Sequence, residues 1–320
     1  MSDYHPPLRP TPPHAWEGVK PRTVTPRGVP ASRPNGTLEF PLTQAELTAH
    51  VRAALDEDQA FHDVSTLATV VSTRHVRGGI VARRDGVICG VPLAIEAFRQ
   101  LDSSVTIRVD AEDGAMVKKG DRILHISGHA RGMLSAERTA LNYMQRLSGV
   151  ATLTCRFVNA IKGTDAVILD TRKTTPLYRK LEKYAVRAGG GTNHRMDLQS
   201  AVLIKDNHLA AIGGDVAAAV SRARGLAEEG TPVQVECDNL EQVDAALAAG
   251  ADGILLDNMP LDMLRAAVER CAGRAVTEAS GGVTFETVRG IAETGVQRIS
   301  VGALTHSAPA LDLALDFEGL

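Results

Sequence analysis

The sequence is poor in the features that mark secreted, membrane-spanning or nucleic-acid-binding chains. Its 320 residues include four cysteines, Cys89, Cys155, Cys237 and Cys271, far apart and without a C-x-x-C pair. That spacing argues against a zinc knuckle or a disulfide framework and fits a reducing compartment. No run approaches the roughly 18 apolar residues of a membrane helix. The opening residues lack the apolar core of a secretory signal, so a cytoplasmic location without export is expected. Net charge is only -3, which leaves no basic footprint for nucleic acid or an anionic membrane spread over the molecule. Any anion site must be a local basic cluster. No G-x-G-x-x-G follows an apolar run, which removes the main support for dinucleotide binding.

Hydrophobic residues make up 44% of the chain, enough for a large buried core. They are unevenly spread. Residues 1–37 hold nine of the fifteen prolines and Trp16, the sole tryptophan, with no apolar periodicity, and are expected to be a disordered tail without chemistry. Regular structure is expected to begin at Thr43, where T-Q-A-E reads as a capping box and Leu47, Val51 and Leu55 recur at helical spacing.

From about Val76 to Ser127 short alternating strands are separated by glycine turns. The last of these, G-A-M-V-K-K-G-D, is similar to the hammerhead turn of biotinyl and lipoyl carrier domains. The frame of neighbours around a carrier lysine is missing at Lys118 and Lys119, so a carrier role is set aside. A helix carrying Arg138 is expected next, with Ser135 as its N-cap. Six β-branched runs then alternate with amphipathic helices: A-V-I-L-D, S-A-V-L-I-K-D, P-V-Q-V-E-C, D-G-I-L-L-D, A-V-T-E-A-S and V-Q-R-I-S-V-G. The strand, loop and helix unit around Asp257 favours an α/β barrel over an open dinucleotide-binding sheet.

In a βα barrel the chemistry collects where strands end. Each run here ends in a polar residue: Arg172 and Lys173, Lys205 and Asp206, Glu236, Asp257. A helix opened by Pro176 leads to A-G-G-G-T-N-H-R, whose three glycines would let backbone approach a ligand and which delivers His194 and Arg195. With Arg172, Lys173 and Lys205 these make a cationic pocket for a multiply charged anion, arginine suiting planar carboxylates and lysine phosphate oxygens. Ser280, Gly281 and Gly282, entering a helix, and Gly302 after the next strand can each seat a phosphate. Glu236 and Asp257 would suit Mg²⁺ bound partly through water by a diphosphate.

D-T-R-K-T-T-P, G-G-G-T-N-H-R, L-I-K-D-N-H, V-E-C-D-N-L, D-G-I-L-L-D-N-M and E-A-S-G-G resemble, in order and spacing, the quinolinate phosphoribosyltransferase family over residues 40 to 318. The resemblance implies an N-terminal α/β sandwich, residues 38–147 joined by 306–320, and an incomplete α/β barrel, residues 148–305. It implies transfer of phosphoribosyl from 5-phosphoribosyl 1-diphosphate to quinolinate with decarboxylation, giving nicotinate mononucleotide, in an Mg²⁺-dependent homodimer. Arg138 would reach the pyridine site of a neighbouring subunit. Thr171, Arg172, His194, Arg195 and Lys205 would surround the quinolinate carboxylates. Lys173, Glu236, Asp257, Ser280, Gly281, Gly282 and Gly302 would bind the ribose diphosphate, and Lys173, Lys205, Glu236 and Asp257 would be catalytic. A related phosphoribosyltransferase of metal-transport operons, a Schiff-base aldolase using Lys205 or Lys173, and a non-catalytic sensor of pyridine nucleotides are the alternative readings.

Overall fold

The structure, a computed structural model, describes residues 38–318. The expected proline-rich tail, residues 1–37, lies outside them. The described chain forms two compact units, one from residues 38–160, 173–192 and 302–318, the other from residues 161–172 and 193–301.

The first unit opens with helix α1, Gln44–Glu57, where Thr43 and Glu46 close the expected capping box and Leu47, Val51 and Leu55 are buried. A short helix α2, Val64–Thr69, follows. Strand β1 (His75–Ala82), helix α3 (Val91–Leu101), and strands β2 (Thr106–Val109) and β3 (Arg122–His129) lead to the long helix α4, Ala130–Ala160. The sheet is antiparallel, ordered C-terminal strand Leu313–Phe317, β1, β3, β2. Helix α4 packs on α3, β3 and the C-terminal strand, burying Met133, Met144 and Leu147 completely. Burial of each such side chain stabilises the fold by about 1.5–3 kcal/mol.

At the hammerhead-like turn Gly114 and Gly120 adopt φ of 85° and 95°, open to glycine at little cost. The Lys118 ammonium lies 2.9 Å from Asp85, so this lysine braces the turn. Ser135 is not an N-cap. Helix α4 begins five residues earlier, directly from β3, whose last residue His129 donates its N–H to Asp102 at 2.8 Å from 27 residues away. Ser135, inside the helix, donates to Asp63 at 3.0 Å. The expected domain boundary at residues 147/148 lies within this unbroken helix.

The second unit holds six parallel strands: β4 (Val167–Leu169), β5 (Val202–Ile204), β6 (Val233–Cys237), β7 (Gly253–Asp257), β8 (Val276–Ser280) and β9 (Arg298–Ser300). Their order is β4-β9-β8-β7-β6-β5. Both β4 and β5 are edges, so the barrel is incomplete between them. Parallel neighbours require crossovers, and helices connect β5 through β9. The register sorts side chains by face, since alternate residues of a strand point to opposite sides. Ile204, Val233, Val235, Ile254, Leu256 and Ile299 are buried on one face. Glu236 pairs with Leu255, Leu255 with Glu278 and Glu278 with Arg298, while Asp257 pairs with Ser280. The other face is therefore polar, carrying Gln234, Glu236, Asp257, Glu278, Ser280, Arg298 and Ser300.

Candidate active site

Within the second unit, the carboxyl ends of the strands bring together most of the residues singled out from the sequence. Lys205 directly follows β5 and its ammonium is ion-paired with Glu236, a buried residue of the neighbouring strand. The lysine is thereby aimed across the strand ends as a fixed cation. This contact gives no support to a Schiff-base role, because the Lys205 nitrogen is directed at a carboxylate rather than at an open space for a carbonyl substrate. The Lys205 backbone N–H is itself held by His208 Nδ1 at 2.9 Å.

Asp257 ends β7 on the same face as Glu236. Asn258, in the left-handed region at φ 52°, donates from its side chain to Asp257 at 2.7 Å and from its backbone to Ser280 O at 2.9 Å. It also packs on Gly281, where an added Cβ would lie 2.3 Å from Asn258 Oδ1 and φ is 86°. Ser280, Gly281 and Gly282 thus form a backbone cradle beside Asp257. The expected helix N-terminus behind it is absent, since the following helix starts only at Val288 and has five residues. Two successive left-handed glycines, with Gly282 at φ 57°, turn the chain instead, and such turns expose N–H groups to an anion.

The loop after β4 carries Thr171 and Arg172, both half-buried. Its anchor is Asp170, fully buried, which accepts the Asn193 side-chain amide at 2.6 Å and the His194 N–H at 2.9 Å. Arg195 is 6% exposed, with one guanidinium donor on Ala201 O at 2.8 Å. Burial, and then the nearby positive charge of Arg172, push its pKa down. Two guanidinium groups near each other are a charge pattern suited to carboxylate oxygens.

Three of the expected site residues, Arg138, Lys173 and Gly302, fall in the first unit. Lys173 is held by its carbonyl, which accepts from Thr305 Oγ1 at 2.7 Å. A Cβ on Gly302 would meet the Lys173 side chain at 3.2 Å, so the lysine stem runs over the Gly302 backbone. Arg138 is an exposed side chain of α4. Pro176 does not open a helix, which begins at Arg179. Thr175 instead donates its N–H and hydroxyl to Glu182, each at 3.0 Å, and Leu177 takes a φ of 63°. Nor are the three glycines spaced for a ligand. A Cβ on Gly189 would sit 2.3 Å from Ala151 O and one on Gly191 2.8 Å from Thr154, while Gly190 needs its φ of 87°. They let this loop pack against α4.

Asp170, Asn193, Asn258 and Glu278 were not singled out from the sequence, although all lie in quoted motifs. Their role is to hold other side chains, a role that local spacing does not reveal.

The C-terminal domain model of quinolinate phosphoribosyl transferase matches residues 150–316 and the N-terminal domain model residues 63–148. A nicotinate-nucleotide pyrophosphorylase [carboxylating] of Mycobacterium leprae is 47% identical over 274 residues, 83% of this chain and 95% of that protein. A probable nicotinate-nucleotide pyrophosphorylase [carboxylating] of Bacillus subtilis is 43% identical over 251 residues, 78% of this chain and 86% of that one. The solved nicotinate-nucleotide pyrophosphorylase of Francisella tularensis superposes with a TM-score of 0.83 at 38% identity, covering 87% of this chain and 98% of that one. With two matching domain models in sequence order and a relative at this identity, the chain belongs to the quinolinate phosphoribosyl transferase family.

Proposed function

We propose that the protein transfers the phosphoribosyl group of 5-phosphoribosyl 1-diphosphate to quinolinate and decarboxylates the product, giving nicotinate mononucleotide, diphosphate and CO2, in the cytoplasm. The observation that carries this reading is the pairing of Arg172 and Arg195 in the same unit as the Lys205–Glu236 ion pair, Asp257 and the Ser280-Gly281-Gly282 cradle. Cations for a dicarboxylate and a phosphate seat flanked by carboxylates suit both substrates.

In this reading Thr171, Arg172, His194, Arg195 and Lys205 hold quinolinate, completed by Arg138 from a second copy in a homodimer. Lys173, Glu236, Asp257, Ser280, Gly281, Gly282 and Gly302 hold the ribose diphosphate. The bond from the anomeric carbon to the diphosphate oxygen breaks as the pyridine nitrogen forms the new bond from the opposite face, with inversion. Charge develops on the departing oxygens, where Lys173 stabilises it, and on the ribosyl carbon, where Glu236 and Asp257 do. The quaternised ring then accepts the electron pair released as the adjacent carboxylate leaves as CO2, and the ring carbon takes up a proton.

Glu236 and Asp257 share one face, but Glu236 is already engaged by Lys205, and no cluster of three or more metal-ligating side chains exists among the described residues. That donor set fits Mg²⁺, which favours one or two carboxylates plus substrate phosphates and water. Glu236 and Asp257 would hold it, and when bound it would neutralise diphosphate.

The test is mass-spectrometric detection of nicotinate mononucleotide and CO2 from purified protein with quinolinate, phosphoribosyl diphosphate and Mg²⁺, beside reactions with nicotinate and nicotinamide. Product from quinolinate alone is expected; none from folded protein would refute the reading. For the shared site, Arg138→Ala and Arg172→Ala chains mixed in one heterodimer should regain activity that each homodimer lacks.

A further inference from the structure

Glu278 is the most deeply buried carboxylate on the polar face of the second unit, with no exposure. It sits two residues before Ser280 on β8. A buried carboxylate needs partners, and Glu278 has them on both oxygens. Gln234 Nε2 donates to Oε2 at 3.0 Å and Ser300 Oγ to Oε1 at 2.5 Å. Arg298 is its register neighbour on β9. Arg298 also acts on it through its charge, and His194 Nε2 faces Oε1 at 3.5 Å.

The other nitrogen of His194 decides what this contact means. Nδ1 accepts the Arg195 backbone N–H at 2.7 Å, so it carries no proton, since an Nδ1–H would point at another N–H. The ring proton is therefore on Nε2, the atom that faces Glu278. Which nitrogen of a histidine is protonated follows from the hydrogen bond made by the other, and here the two partners agree. The His194 backbone is fixed separately, by Asp170. Main chain and ring are thus held at three points immediately before Arg195.

We propose that Glu278 is a positioning residue of the quinolinate site, holding His194 as the neutral Nε2–H tautomer so that the His194 ring, braced between Glu278 and the Arg195 N–H, sets the direction in which Arg195 is presented. The inference rests on the reaction proposed above and deepens it: His194 adds no positive charge to the free site, and the dicarboxylate is matched by the arginines and Lys205. Glu278 acts through the ring and does not itself touch substrate.

The experiment pairs ¹⁵N NMR of the imidazole rings with steady-state kinetics on the full chain. In the free wild-type protein at neutral pH, long-range ¹H–¹⁵N correlations should show His194 with a bare Nδ1 and a protonated Nε2. Glu278→Gln, which keeps the size of the side chain, should perturb that pattern. It should raise KM for quinolinate about tenfold, the equivalent of one hydrogen bond lost, and leave kcat and the KM for phosphoribosyl diphosphate within about twofold of wild type. An imidazolium or an Nδ1–H tautomer in the wild type would overturn the inference, even if the variant failed to fold. So would an unchanged quinolinate KM in a folded Glu278→Gln protein. Absence of quinolinate turnover by the wild type would remove the proposed reaction, while the ring spectrum would still decide the tautomer.

Discussion

Glu182 in the first unit and Glu278 in the second are both fully buried carboxylates, and their surroundings differ in kind. Glu182 takes a charge-assisted hydrogen bond from Arg146 at 2.6 Å, a second at 3.2 Å, and two from Thr175. Arg146 continues to Thr305 O and Ala308 O, and Thr305 holds Lys173. Glu278 takes hydrogen bonds from two neutral donors, faces a histidine, and has Arg298 as a charged neighbour on the next strand. The first arrangement fastens distant pieces of backbone together. The second leaves a carboxylate able to order a side chain at a ligand site. Burial alone therefore does not tell a structural carboxylate from a functional one; the partners do.

The sharpest way to break this comparison is to remove each charge. Glu182→Ala leaves Arg146 without its counter-charge and should cost about 3–5 kcal/mol in urea unfolding. Glu278→Ala orphans the Gln234 and Ser300 donors and removes the negative charge beside Arg298, and should cost about 1–3 kcal/mol. Equal losses would erase the distinction. Activity provides the next test. Lys205→Ala should lower kcat/KM by on the order of 100-fold or more, as expected for a cation that orients a bound dicarboxylate, and should lower thermal stability as well because Glu236 loses its counter-charge. Gly281→Ala, strained by its left-handed φ and by Asn258, should raise KM for phosphoribosyl diphosphate by about tenfold, with backbone strain of about 1–3 kcal/mol behind it.

The smallest effect is one of pH. Burial pushes the Asp102 carboxyl up, but hydrogen bonds from Ser104 and His129 outweigh it and bring it from 3.8 to about 2. A carboxylate depressed in the folded state contributes stability that is fully present above its unfolded pKa and is lost as pH falls through the folded one. Asp102→Asn should therefore lower the melting temperature at neutral pH and narrow the gap to wild type between pH 3.8 and about 2, measured by acid-to-neutral thermal scans.

Much of this was legible in the chain. The capping box at Thr43, the six parallel strands and the strand-end charges are local patterns, and local patterns survive folding when burial agrees with them. The errors share a cause. The start of α4 differs from the expectation because the junction it grows from is held by Asp102, 27 residues away from His129. The glycines of A-G-G-G were read as open to a ligand because the wall they meet, α4 at Ala151 and Thr154, is remote in sequence. Glu278 was overlooked because its importance depends on Gln234, Ser300 and His194 arriving from three other segments.

The pairing of β1 with the C-terminal strand has a consequence for the order of synthesis. Gly78 is partnered by Phe317, and Arg83 by Asp316, 233 positions later. On a ribosome adding about 5–20 residues per second, β1 waits on the order of ten seconds or more for that neighbour. Until then its outer edge offers unpaired N–H and C=O groups to any other nascent chain. Elongation speed and chaperone occupancy over that interval, rather than the stability of the finished fold, would then govern how much of the protein escapes aggregation.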